Sequence, residues 1–220
     1  MGTSKKYIRL LAAMLLLRSM AFAQIPVEIL AGDNKAVLDI MFFKYFKNKS
    51  KSNSKFLFFN RNRASVDYKM TSSTNLPQFG FTEAISYNHE KLLGFAPVIV
   101  GQILGSGFHT KAGFQFAKIR KEMTLFAWLV SETKRQPTLD LFFLGRYTPK
   151  LSDKINLFSQ LELVNAIPSN NQKSFSFTQR IRLGLKISEL QFGLASDFSE
   201  IGRINFTSTS NIGAFIRYEY

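Results

Sequence analysis

The sequence predicts an all-β protein, an antiparallel up-and-down transmembrane β-barrel of about twelve strands, with ten also compatible. Three features lead there. Stretches of about ten residues alternate apolar and polar side chains, the signature of strands with one face on lipid and one on a polar interior. Beyond the first 23 residues, no run reaches the roughly 18 apolar residues of a membrane helix. Phe is abundant, 23 of 220 residues, yet mean hydropathy is −0.03, so apolar and polar surface are finely mixed.

Residues 1–23 have the grammar of a secretory signal peptide: a basic start (Lys5, Lys6, Arg9), an apolar run from Leu10 to Leu17, and a small-x-small site at Ala21-Phe22-Ala23. The expected domain layout is therefore a signal peptide over 1–23 and a barrel over 24–220, opening on a short lead-in at 24–34. The chain has no cysteine, which leaves no lipoprotein anchor, disulfide, thiolate metal site or thiol nucleophile.

Strands are expected at 35–46, 55–62, 64–70, 78–88, 95–105, 108–119, 123–131, 138–147, 154–164, 174–187, 189–198 and 209–220. The clearest is 174–187. Phe175, Phe177, Ile181, Leu183, Leu185 and Ile187 share one face, broken only by Gln179; Ser174, Ser176, Thr178, Arg180, Arg182, Gly184 and Lys186 share the other. A helix would spread those cations around its whole circumference. Met123–Val130, Leu139–Leu144, Ile40–Phe43 and Phe56–Phe59 are apolar on both faces, which suits a narrow barrel with a packed interior and equally a soluble sandwich. Polar clusters divide the strands. Those at 47–54, 71–77, 131–137, 165–173 and 199–208 are long; the others, including Asn62–Arg63, are short. Their rough alternation suggests long outer loops and short inner turns, with both termini in the periplasm.

The chain stops on an amphipathic strand. Ile212, Ala214, Ile216, Tyr218 and Tyr220 face one way and Asn211, Gly213, Arg217 and Glu219 the other. Asn211, Gly213, Ile216 and Tyr218, with the terminal Tyr220, resemble the recognition strand read by the barrel-assembly machinery of outer membranes. The "GAFIRYEY" ending and the Phe-rich strands resemble small outer-membrane barrels of Bacteroidota type, and the strand count is similar to that of Tsx-type nucleoside channels. The resemblance implies an outer-membrane location and no particular activity.

A charge facing lipid at mid-depth costs about 2–4 kcal/mol, so Arg180, Arg182, Lys186, Lys111, Arg146 and Arg217, with Glu162, are expected to line the lumen. Two arrangements follow. One is a small passive pore with a basic lumen that favours anions. The alternative is a closed structural or ligand-binding barrel whose interior Arg, Asp and Glu pair with one another. A soluble periplasmic β-domain and a barrel lipid hydrolase are further alternatives. The hydrolase needs a Ser–His pair with an orienting acid or amide; His109 has Ser106 and Thr110 beside it, but no local pattern matches such enzymes. His89 sits in an expected turn, and neither histidine has a partner at metal spacing. No glycine loop has phosphate-binding spacing. The expectation is a non-enzyme without metal or cofactor. Its partners would be outer-membrane lipids, lipopolysaccharide (through Lys47, Lys49, Lys51 and Lys55 on an outer loop) and the assembly machinery, with no nucleic acid.

Overall fold

A computed structural model describes residues 25–69 and 78–220. The expected signal segment 1–23 and the polar cluster 71–77 lie outside the described residues. Twelve antiparallel strands close on themselves: β1 (Pro26–Gly32), β2 (Lys35–Lys47), β3 (Asn53–Asp67), β4 (Gln78–Tyr87), β5 (Phe95–Leu104), β6 (Gly107–Ile119), β7 (Met123–Glu132), β8 (Thr138–Tyr147), β9 (Asn156–Pro168), β10 (Phe175–Ile187), β11 (Leu190–Gly202) and β12 (Phe206–Glu219). Each strand pairs with its sequence neighbours, and β1 pairs with β12 from Pro26–Glu219 to Gly32–Gly213. Every strand edge is thereby paired, as lipid requires of backbone groups.

The strand count matches the expectation through two compensating departures. Residues 26–32, expected as lead-in, form β1. Their inward positions mix Pro26, Glu28 and Leu30, so alternation is hidden in a short apolar run. The expected strands 55–62 and 64–70 are one strand, β3. Asn62 and Arg63, expected as a turn, pair with Ile40 and Asp39 in mid-strand. Arg61 and Arg63 point inward, where Asp39 holds both, so the ladder runs on through this polar stretch, with Asn62 between them on the outer side opposite Ile40 and Phe81.

This shift moves one loop. Residues 48–52 lie at the end that carries Ile25 and Tyr220, with the connections 88–94, 120–122, 148–155 and 188–189. At the opposite mouth lie 33–34, 68–69, 105–106, 133–137, 169–174 and 203–205. The lysine-rich loop thus lies at the same end as both termini, whereas the expectation placed it on the opposite side from them. Long and short connections occur at both ends, so the expected loop alternation is not present.

The outer surface is a band of exposed apolar side chains. Leu194 (72% exposed), Ile99 (69%) and Phe114 (67%) stand with Ile29, Ile181, Leu183, Ile212 and Ile216. A band of this extent marks a surface made for something other than water, and on a closed barrel that is hydrocarbon. Aromatic rings gather at both rims. Tyr218 and Tyr220 meet edge-on at 4.7 Å at the terminal end, and Phe175, Phe177 and Phe206 stack at the other, as at the polar boundaries of a bilayer. Glu83 is a charged residue on this face. It stands between Phe81 and Ile85, and Asn60 Nδ2 on β3 donates to its Oε1 at 3.3 Å.

The β1–β12 junction explains two residues of the C-terminal strand. Asn211 Oδ1 accepts from the backbone N–H of Asn34 (3.1 Å) and Lys35 (2.9 Å), and its Nδ2 donates to Lys35 O. It thereby ties the β1–β2 turn to β12. A Cβ at Gly213 would overlap the Ala31 carbonyl oxygen and the Gly32 Cα, so only glycine lets the two strands approach. Ile216 faces outward between them and the tyrosine rim.

Candidate functional site: the barrel interior and its mouth

The interior is filled, and it is divided lengthwise by chemistry. Along the β2–β8 wall, Met41, Phe59, Val98, Val100, Phe126, Trp128, Phe142 and Leu144 form one apolar cluster. Phe59 stacks on Phe126 at 5.4 Å and meets Trp128 edge-on at 5.1 Å. Apart from Val98 and Val100 on β5, these are the inward residues of the segments that read as apolar on both faces. Full burial of each large side chain contributes roughly 1.5–3 kcal/mol. A smaller cluster of Leu30, Val37, Phe158, Ala195 and Phe215 lies across the barrel.

The β9–β3 wall, running through β12 and β1, carries an ionic network. Arg61 on β3 bonds Asp39 beside it (2.5 Å) and reaches across to Glu162 on β9 (2.8 Å). Arg63 holds Asp39 at 2.8 Å and crosses to Asp197 on β11. Arg180 reaches Glu162 at 3.3 Å, and Arg182 bonds both Glu28 and Asp197 at 2.8 Å. Arg217 pairs with Glu28, and its second nitrogen donates to Gln160 Oε1 at 3.0 Å. Nearer the terminal end, Lys186 pairs with Glu219 at 2.5 Å, and Arg146 donates to Gln160 at 2.8 Å. Lys111 pairs with Asp140 on the other side of the barrel. These eight cations meet six carboxylates, and strands far apart in the wall are tied through the middle.

All seven residues expected at the lumen therefore lie inside, and each is engaged. Of the network, Arg63 fell on an expected turn, Arg61 and Asp39 on expected strands whose inner faces were unassigned, and Glu28 on an expected lead-in, so none was expected at the lumen. His89 lies outside the barrel interior. It caps a short 3-10 turn at Glu90–Leu92, where its Nδ1 accepts from Lys91 N at 3.2 Å.

Above this network, at the mouth opposite the termini, lies a vestibule of about 490 Å³. Phe59, Trp128, Phe142 and Val164 form its apolar wall, Arg61, Arg63 and Arg180 its floor, and Lys173, His109 and Ser106 its rim. A second recess of about 230 Å³ lies beyond Arg63 and Arg180, against Lys35 and Asn211. At the rim, Ser106 Oγ is 2.9 Å from His109 Nε2, and His109 Nδ1 is 2.8 Å from Glu132 Oε1. Ser106 and His109 are near neighbours in sequence. Glu132 comes from the next strand, where it pairs opposite Lys111, so no local pattern could reveal it.

No protein-family model and no curated protein matches the chain. Solved structures do match it. The NanC porin shares 6% sequence identity over 90% of this chain and 99% of that chain, with a TM-score of 0.50. The KdgM porin in complex with disordered oligogalacturonate shares 10% over 90% and 99%, with a TM-score of 0.45. At these identities the likeness is one of fold: a closed outer-membrane-type β-barrel.

Proposed function

We propose that this protein is an outer-membrane barrel whose interior is closed at rest and whose mouth holds a small ligand in a blind vestibule. The observation that carries the reading is the pair of ionic ties across the barrel, Arg61–Glu162 and Arg63–Asp197. With the Phe59–Phe126–Trp128 cluster beside them, they leave below the vestibule the packing of a protein interior rather than a water path. This favours the closed, ligand-binding barrel over the passive pore with a basic lumen. The vestibule is within the usual size range of small-molecule sites, about 300–1,000 Å³. Its aromatic wall and guanidinium floor suit a solute with one apolar face and one anionic group.

On this reading the termini are periplasmic, as in other barrels with an even strand number. The loop lysines Lys47, Lys49 and Lys51 are then periplasmic too, and the cations that meet lipopolysaccharide are Arg135, Lys173 and Arg203 at the opposite mouth. Asn211, Gly213, Ile216, Tyr218 and Tyr220 would form the strand delivered to the barrel-assembly machinery, and residues 1–23 the export signal.

The test is a planar-bilayer recording of the refolded full chain. A flat baseline with at most brief openings is expected. A steady ohmic conductance at low voltage would contradict the closed interior.

A further inference from the structure

We propose that the rim of the vestibule is a hydrolytic site for small carboxylic esters, with Ser106 as nucleophile, His109 as general base and Glu132 as the positioning acid. The proposal goes beyond the binding role above: it shares the vestibule's apolar wall but rests on the Ser106–His109–Glu132 contacts at the rim.

The three side chains are connected in the order that nucleophilic catalysis needs. Glu132 is itself fixed: Thr138 N–H donates to its Oε2 at 2.9 Å, and Lys134 Nζ lies 3.0 Å from its Oε1. Lys134 also comes within 3.5 Å of His109 Nδ1. A carboxylate can only accept, and its 2.8 Å contact is far shorter than the 3.5 Å approach of the donor-only Lys134 ammonium, so Glu132 draws the imidazole proton to Nδ1 and leaves Nε2 bare. The bare nitrogen faces the Ser106 hydroxyl. His109 and Glu132 are largely buried, with side chains 13% and 5% exposed, while Ser106 is exposed in the turn between β5 and β6. That is the disposition of a sheltered base behind an accessible nucleophile.

The turn suits the chemistry as well. Gly107 has φ of +111°, a left-handed conformation that glycine takes without strain. It lets the chain reverse over Gly105 and Ser106 alone. A Cβ at Gly105 or Gly107 would meet nothing within 4 Å, so a carbonyl group has room to approach. The β5–β6 ladder ends at the Leu104–Gly107 pair. The N–H groups of Gly105 and Ser106 lie beyond it, free of that ladder to face a developing oxyanion.

In the reaction, Ser106 Oγ bonds to the ester carbonyl carbon as His109 Nε2 takes the hydroxyl proton. The bond to the alcohol oxygen breaks, and His109 returns the proton to the departing alkoxide. Water then attacks the acyl-serine with His109 again as base, which releases the carboxylic acid and restores Ser106. The acyl group is directed into the vestibule, along Leu104, Trp128, Phe142 and Val164. A volume of about 490 Å³ admits short and medium chains.

The test uses the full chain in detergent, with a fluorophosphonate probe and with p-nitrophenyl butyrate. A phosphonyl adduct on Ser106, located by peptide mass spectrometry, is expected together with ester turnover. Ser106→Ala should abolish both, and His109→Gln should lower turnover at least about a thousandfold. Glu132→Gln should slow labelling at least about tenfold while heat-modifiable migration on a gel stays that of the folded barrel, which separates positioning from loss of structure. No adduct on Ser106 in the folded protein, or turnover retained by Ser106→Ala, would overturn the proposal. Either result would leave the closed-barrel reading to its own conductance test.

Discussion

Glu162→Leu is expected to destabilise the barrel by about 3–5 kcal/mol, the scale for leaving a buried charge without its partner. Glu162 is 2% exposed. Its carboxylate takes Arg61 at 2.8 Å, Arg180 at 3.3 Å and the Gln160 amide at 2.7 Å. Leucine fills nearly the same space, so little cavity is created, and the loss is electrostatic. Arg61 keeps Asp39, whereas Arg180 keeps only the 3.8 Å contact to Asp197 among its ion pairs. Urea unfolding in lipid vesicles, followed by tryptophan fluorescence, measures the effect. The single Trp128 sits in the interior cluster, so its emission reports the loss of packing. An unchanged midpoint would mean that the network does not hold the interior together.

Leu183→Arg and Ile181→Arg are expected to prevent membrane assembly. Both side chains stand on the outer face of β10, 54% and 50% exposed, and an arginine at mid-depth there costs about 2–4 kcal/mol. Each variant would lose the heat-modifiable folded band in vesicles. The paired inward position makes the contrast. Arg182, between them in sequence, is 3% exposed and bonded to Glu28 and Asp197, so a cation is tolerated there and not on either side. Normal folding of both variants would overturn the assignment of faces.

The outer face of the barrel was legible in the sequence because lipid imposes one rule on it: every second residue of Phe175–Ile187 except Gln179, and of Ile212–Tyr220, is apolar or aromatic. The interior follows no such rule. Glu28 and Leu30 face the same way on β1, and Phe59 precedes Arg61 on the inner side of β3. A packed interior accepts either type wherever its partner is supplied by another strand. That is why β1 read as a lead-in and the middle of β3 as a turn. It is also why the inward cations could be named while the partner of each could not. Their acids come from strands remote in sequence, as with Arg63 and Asp197, which are 134 residues apart. The rim site was half legible. Ser106 and His109 lie three residues apart, but Glu132 joins them only through the pairing of β6 with β7.

The central claim is that one face of each strand touches hydrocarbon and the other a closed interior. Because the chain has no cysteine, single spin labels can be placed at will along β10. In vesicles, labels at Ile181→Cys, Leu183→Cys and Leu185→Cys should collide freely with dissolved oxygen. Labels at Thr178→Cys and Lys186→Cys should be shielded from it, and labels deeper on that inner face shielded also from a water-soluble nickel chelate. Strong nickel accessibility all along the inner face would reveal an open aqueous channel, and equal accessibility on both faces would show that β10 does not lie in the membrane.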